Sequence, residues 1–396
     1  MRNICFYFQV HQPYRLRNYG FFEIGNSPFY FDEFQNRWIA GRVADKCYLP
    51  MNAVLLEQIR KHGHRFKVSF SISGVCLEQM EKYTPEVIES FQELISTGCV
   101  EILSETYTHG LAALKSETEF KEQVAMHAAK IKEIFSVTPK AFRNTELIYS
   151  NDIGRMVADM GYEVMLTEGA KHVMGWRSPN FVYRSATEPQ LKLLLKNFQL
   201  SDDIAFRFSQ HTWPGFPLTA EKFVDWIRQT ESGQPCINLF MDYETFGEHQ
   251  WQETGIFEFM RYLPQQVLDA GMGFATVSEQ AQKSTPVDEV DVPYPISWAD
   301  EERDVSAWLG NELQDDAFDQ IYALENEVKN TKDEGLIHTW RSLQTSDHFY
   351  YMCTKWFSDG DVHKYFNPYN SPYQAYINYM NVLSDFRIRL REFKKK

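Results

Sequence analysis

No run of apolar residues in this sequence approaches the ~18 that a membrane-spanning helix needs, so a role across a bilayer is excluded from the start. Bases are in short supply: 40 Lys and Arg stand against 54 Asp and Glu, a net charge of −14. An acidic surface repels phosphate polymers and anionic lipid, which removes nucleic acid and membranes from the expected partners. Cysteine is sparse and scattered, as Cys5, Cys47, Cys76, Cys99, Cys236 and Cys353, with no C-x-x-C pair. That excludes a disulfide frame or a zinc knuckle and predicts buried thiols in a reducing compartment, with a cytoplasmic location as the default. The N-terminus carries only the short run Ile4 to Phe8 before Gln9 and His11, with no small-residue cleavage site after it, and reads as a strand rather than a signal peptide.

Familiar chemical signatures are missing too. There is no Walker loop, and Gly271-Met272-Gly273 lacks the third glycine and the helix of a dinucleotide fingerprint. No G-x-S-x-G elbow supports a serine hydrolase. The ordered Asp-Asp and His-x-x-x-His pattern of metal-dependent polysaccharide deacetylases is absent, and His62-Gly63-His64 reads as a polar connection ahead of a strand. No metal and no cofactor are expected. Repeats of fixed period and low-complexity tracts are absent as well.

What is present is a globular composition, 43% hydrophobic and 24% charged over 396 residues, enough for two or three domains. Aromatic residues reach 15%. Through residues 1–285 candidate strands alternate with amphipathic helices. The strands are Asn3–Val10, Phe66–Ile72, Cys99–Glu105, Lys140–Arg143, Glu163–Thr167, Leu191–Leu195 and Cys236–Met241. The helices are Met51–Lys61, Pro85–Ser96, a long one from Glu117 to Phe135 opened by the capping box Ser116-x-x-Glu119, Asp152–Met160 closed by Gly161, and Lys222–Thr230. This alternation predicts an α/β fold of right-handed βαβ units, and about seven of them favour a parallel (β/α) barrel. The proline- and acid-rich stretch Ser284–Pro295 reads as a surface connection. After it, helices are expected over Asp315–Lys329, Gly335–Thr345, around His348–Trp356 and over Gln374–Glu392, with no strand. The expected division is therefore a barrel over 1–285 and a C-terminal helical domain over 286–396.

In parallel α/β folds ligands bind at the carboxyl ends of strands. Here those ends run into His11-Gln12-Pro13, Glu105 to His109, Arg143-Asn144-Thr145-Glu146, Glu168, and Asp242 to His249. Converging carboxylates with abundant aromatics and no metal-ligand spacing suit glycoside hydrolysis, in which one acid protonates the leaving oxygen and a second attacks or stabilises the sugar carbon. Glu146, directly after a strand, is a candidate nucleophile. Asp242, closing the run Cys236–Met241, is a candidate acid/base, and Glu244 two residues on can raise its pKa by like charge. On spacing alone, either acid can equally be an ion-pair partner, and Glu168 is either a supporting charge or without a role.

Five segments then carry a resemblance. His11-Gln12-Pro13, Gly98 to Ile102 continuing to Glu105-Thr106-Tyr107-Thr108-His109, Phe142 to Leu147, Asp242 to Gly247, and Leu343 to Tyr351 resemble, in order, the motifs of glycoside hydrolase family 57, most closely its α-amylase-type members. The resemblance spans residues 11 to 351. It implies a seven-stranded barrel followed by a helical bundle that helps close the site, and a retaining double displacement on α-1,4-linked glucans. It further implies Glu146 as nucleophile and Asp242 as general acid/base, with His11, Glu101 and His109 near the sugar and Asp347 and His348 in the motif from the helical region. Glu244 is a further substrate-side candidate from its place beside Asp242. Both catalytic positions match, in a family that includes amylase-like chains lacking one or both. A separation of about 5–5.5 Å between the two carboxyl groups is then expected. A 4-α-glucanotransferase would use the same carboxylates, and a non-catalytic glucan-binding protein would not need them. Trp213, Trp251, Trp298 and Trp308 fall in or near loops and are candidates to stack on sugar rings or to pack internally.

Overall fold

A computed structural model describes residues 1–355 and 366–395 of the chain. Ten strands are formed: β1 (Asn3–Val10), β2 (Val68–Ile72), β3 (Val100–Ile102), β4 (Ala141–Arg143), β5 (Val164–Glu168), β6 (Val182–Ser185), β7 (Lys192–Lys196), β8 (Cys236–Asp242), β9 (Gly273–Phe274) and β10 (Glu289–Val290). The seven expected strands are all there, within three residues at either end. The ladders make two five-stranded sheets, one ordered β3-β2-β1-β8 with β9 also on β1, the other β10-β6-β7-β5-β4. The expected single barrel ladder is thus divided in two.

Two contacts join the sheets. Ser104 bridges Phe142 in parallel, tying β3 to β4, and the backbone N–H of Asn197 donates to the carbonyl of Asn238 at 2.9 Å, tying the end of β7 to β8. Between the sheets lies a common core. The alternation of β1 sends Ile4, Phe6, Phe8 and Val10 to an outer cluster beneath the helices, while Cys5 and Tyr7 point inward to meet Leu103, Ala141, Leu166, Leu194 and Phe240.

Three departures from the sequence reading have local causes. β6 runs antiparallel to β7, because only six residues separate them and a parallel crossover needs a dozen or more. The stretch Ser284–Pro295 is more than a connection, since it contains β10, which pairs with β6. The capping box at Ser116 is half made: Ser116 Oγ accepts from the N–H of Glu119 at 3.2 Å, but the Glu119 carboxylate is drawn to Arg341 and Lys329 instead of back to Ser116. The other long helices agree closely with expectation, as at Pro85–Ser96.

Beyond β10 the described residues form helices only, including Glu312–Tyr322, Glu325–Lys329, Glu334–Ser342, Ser346–Tyr350 and Pro372–Phe393. The span expected around His348–Trp356 is a short helix ending at Tyr350, and Trp356 lies outside the described residues. These helices share a core with the β4-β5-β7 sheet, through Trp308, Phe318, Trp340, Phe349 and Phe386. Among the described residues no helix is long and apolar enough to cross a membrane. All six cysteines are free and buried.

Candidate active site

A cavity opens where the carboxyl ends of β1 and β8 and the loop after β4 meet the segment following residue 296. Its walls include Gln9, His11, Arg15, His109, Glu146, Asp242, Glu244, Trp298, Trp308, Asp347 and Tyr350. Glu146 sits one turn beyond β4 with φ 57° and ψ 25°, followed by Leu147 at φ 53°. A left-handed non-glycine residue is costly unless its surroundings over-determine it. Here they do. Tyr149 and Ile296 exchange backbone hydrogen bonds of 3.0 and 2.9 Å, and the Trp298 N–H donates to the Glu146 carbonyl at 3.2 Å. The turn is clamped by a segment some 150 residues further along the chain.

The Glu146 side chain is held as firmly. Trp298 Nε1–H donates to Oε2 at 2.7 Å, Ser346 Oγ–H to Oε1 at 3.3 Å, and His109 Nε2 lies 3.3 Å from Oε1. Burial pushes the Glu146 carboxyl up, but the His109 bond and charge, Arg143 and Trp298 outweigh it and hold the group at about 2. Asp242 closes β8 in a different environment. Burial and the nearby negative charge of Glu146 push it up to about 6, against the pull of Arg143, His109 and Lys196. Two carboxyl groups in one cavity are thereby driven in opposite directions, one held ionised and the other keeping its proton to higher pH, the separation that acid-plus-nucleophile chemistry requires. Glu244 is pushed further, to about 8, by burial and by Asp242, and the Tyr48 hydroxyl and Gln12 amide donate to it.

His109 also places Nδ1 2.9 Å from Glu105 Oε2, so each ring nitrogen faces a carboxylate. Burial works against its charge, yet the two bonds lift it to about 9. His11 stacks on His109 with ring centroids 4.1 Å apart and sets Nε2 3.0 Å from Asp347 Oδ2. Asp347 comes from the helix Ser346–Tyr350, which the His109 carbonyl anchors by accepting the Ser346 N–H at 3.0 Å. Despite burial, the His11 charge and hydrogen bond hold Asp347 well below the usual carboxylate range.

The structure thus brings together His11, His109, Glu146, Asp242, Glu244, Trp298, Trp308 and Asp347. Four residues lie elsewhere. Glu101, the middle residue of β3, does not line the cavity, and its carboxylate accepts the Ser278 N–H at 2.9 Å at the start of the helix Val277–Lys283. His348, the next residue on the helix, does not line the cavity and packs on Tyr379 at 5.8 Å, where burial lowers it to about 4. Trp213 packs edge-on to Trp226 at 5.6 Å, and its ring fills the space over Gly215. Trp251, 53% exposed, lies outside the cavity with Lys46 Nζ 5.5 Å from its ring. Trp298 lines the cavity, but as a donor to Glu146, while Trp308 is 1% exposed.

Residues not singled out by sequence are Glu105, Arg143, Lys196, Arg303, Ser346 and Tyr350. Glu105 and Arg143 lay inside the quoted motifs, as the last residues of the expected strands Cys99–Glu105 and Lys140–Arg143. Lys196 and Arg303 carried no such signal; they sit 3.8 and 3.7 Å from Glu168, which burial pushes up to about 7 against their pull. Glu168 is therefore part of a charge cluster behind Trp298, whose ring lies 5.4 Å from Lys196 Nζ. Among the described residues no group of three or more His, Cys, Asp or Glu is arranged to hold a metal ion.

A carboxyl group held ionised and a second one raised above its ordinary range, facing the same cavity, match the needs of glycoside hydrolases. The chain belongs to glycosyl hydrolase family 57, whose model matches residues 5–293. It is 43% identical to the "Putative alpha-amylase" of Methanocaldococcus jannaschii, over 99% of this chain and 86% of that one. Its fold is shared by the family 57 branching enzyme of Thermococcus kodakaraensis, with TM-score 0.68 and 14% identity over 92% of this chain and 87% of the other. The 4-alpha-glucanotransferase of Thermococcus litoralis aligns with TM-score 0.66 and 16% identity over 88% of this chain and 56% of the other.

Proposed function

We propose that the protein is a retaining α-amylase-type glycoside hydrolase acting on α-1,4-glucosidic bonds of starch- or glycogen-type glucans, with Glu146 as nucleophile and Asp242 as general acid/base. The observation that carries this reading is the opposite treatment of two carboxyl groups in one cavity: Glu146 takes donors from His109, Trp298 and Ser346, whereas Asp242 faces the charge of Glu146 from a buried strand end. In the first step the Asp242 proton passes to the glycosidic oxygen as the C1–O bond breaks, and a Glu146 oxygen bonds to C1. In the second, Asp242 as carboxylate takes a proton from water, whose oxygen displaces Glu146 from C1. His109 holds the nucleophile ionised between turnovers, and the His11–Asp347 pair supplies polar groups at the cavity wall.

The same reading joins the two sheets into one seven-stranded barrel of β1 to β5, β7 and β8. The two edge contacts and the shared interior core support this closure. It also makes 286–396 a second, largely helical domain that lends Trp298, Ser346 and Asp347 to the site. The free buried cysteines fit a reducing, cytoplasmic setting.

Glu146→Gln and Asp242→Asn should each lower activity on maltooligosaccharides by several orders of magnitude while the fold persists. NMR of fresh product should show the α-anomer first, and initial β-anomer sinks the retaining mechanism. Maltoheptaose should yield only shorter sugars. Longer ones as well would favour 4-α-glucanotransfer, in which a sugar hydroxyl replaces the water of the second step.

A further inference from the structure

Arg143 ends β4 fully buried, and none of its three guanidinium nitrogens has a hydrogen-bond partner among the described residues. An unpaired buried arginine is expensive, and such a group in a well-packed site calls for a role that the charge itself performs. What the guanidinium does touch is an aromatic face: its Cζ lies 4.8 Å from the centroid of the Trp298 ring, within the range of a strong cation–π contact. The same indole donates its N–H to Glu146 Oε2 at 2.7 Å. Lys196 approaches that ring too, at 5.4 Å, but its ammonium is already bound to Asp202 at 3.0 Å. Arg143 has no such competing acceptor.

We propose that Arg143, besides the direct attraction of its charge for Glu146, is a positioning residue that acts on that carboxylate through Trp298, its cation fixing the indole plane and polarising the ring so that Nε1–H becomes a stronger donor. The proposal rests on Glu146 being the nucleophile. A cation over the ring draws electron density from the indole, and linked hydrogen bonds strengthen one another in a low-dielectric interior. The arrangement accounts for the missing hydrogen bonds, since an acceptor on the guanidinium would drain the charge from the ring. It also explains why Trp298 is clamped at both its backbone and its side chain.

The test uses the full chain labelled with 15N at indole nitrogen. The Trp298 Nε1–H resonance is identified by its disappearance in Trp298→Phe and is expected downfield of the other indoles. Arg143→Met, close in volume and free of buried charge, should move that resonance upfield, lower kcat/KM by about 10²-fold and shift the acid limb of the pH profile upward. Arg143→Lys, which keeps the cation, should recover much of both, because no hydrogen bond of the guanidinium is lost. In the Trp298→Phe background Arg143→Met should cost far less than in the parent chain. An unmoved resonance in Arg143→Met, a lysine variant as impaired as the methionine one, or equal costs in the two backgrounds each overturns the proposal. An active Glu146→Gln enzyme would instead overturn the nucleophile reading alone, since the resonance reports the Arg143–Trp298 link whichever group attacks.

Discussion

His11 lies nearly flat on His109, ring centroids 4.1 Å apart and planes 19° apart, yet the two imidazoles are driven in opposite directions. His109 is lifted to about 9, burial being outweighed by Glu105 and Glu146, while burial and the charge of His109 lower His11 despite its bond to Asp347. Charge is thereby favoured on His109 and disfavoured on His11, where two adjacent cations would repel. The positive charge is delivered to the side of the cavity where Glu146 sits.

This arrangement makes His109 the chief source of the Glu146 carboxylate. His109→Gln removes the cation and should raise the pKa of Glu146, so the acid limb of kcat/KM moves up by at least about one pH unit and the plateau falls by about 10²-fold. An unchanged acid limb in a pH–rate series would show that Glu146 is held ionised by something else.

In the parent enzyme the alkaline limb belongs to Asp242. Its proton is needed for departure of the leaving group, so activity should decline as pH rises through about 6. The same shift acts on stability. The native state keeps this proton above the ordinary aspartate value of 3.8, where the unfolded chain has lost it, so the stability it contributes is full below 3.8 and lost as pH rises through about 6. Asp242→Asn escapes that loss. Its melting temperature relative to the parent should be higher at about pH 8 than at about pH 3.5, read by thermal unfolding at both.

Glu101 provides a test that separates the motif from the geometry. Its carboxylate caps the helix Val277–Lys283 through Ser278, away from the cavity. Glu101→Ala should therefore leave kcat/KM within about threefold and cost about 0.5–2 kcal/mol in denaturant unfolding, as loss of a helix N-terminal acceptor does. A large loss of activity without loss of stability would restore it to the substrate site.

Two tryptophans with the same sequence-level standing should behave differently. Trp213 is half-buried against Trp226 and the outer core, and Trp213→Ala should cost about 1–3 kcal/mol of stability. Trp251 is exposed, and Trp251→Ala should leave the melting temperature unchanged. If it stacks on sugar, KM for long glucans rises with kcat preserved, whereas unchanged KM confines its role to the surface.

Chelation with EDTA should not alter activity on maltooligosaccharides, because the proposed steps use only protons and carboxylates. Loss of activity restored by one divalent cation would overturn that expectation.

The sequence by itself determined seven of the ten strands and which acids close them, while β6, β9 and β10 came only with the tertiary structure. Apolar runs such as Cys5 to Phe8 and Cys236 to Met241 are buried on both faces, and a strand must end where a carboxylate meets solvent or a cavity, so Asp242 and the Glu146 turn were legible from local pattern. The ordered motifs added His11, His109 and Asp347, all of which line the cavity. Local pattern could not assign Glu101 or His348 to the right neighbourhood, since a motif names positions in the chain while the pleat of a strand or the turn of a helix decides which way each side chain faces. Nor could it tell Trp298 as a donor from Trp298 as a sugar platform. That role depends on a turn 152 residues away, on two cations over one ring, and on a backbone strained at Glu146. Such features arise only when distant segments pack, because pKa values and strain belong to the surroundings of a residue rather than to its identity.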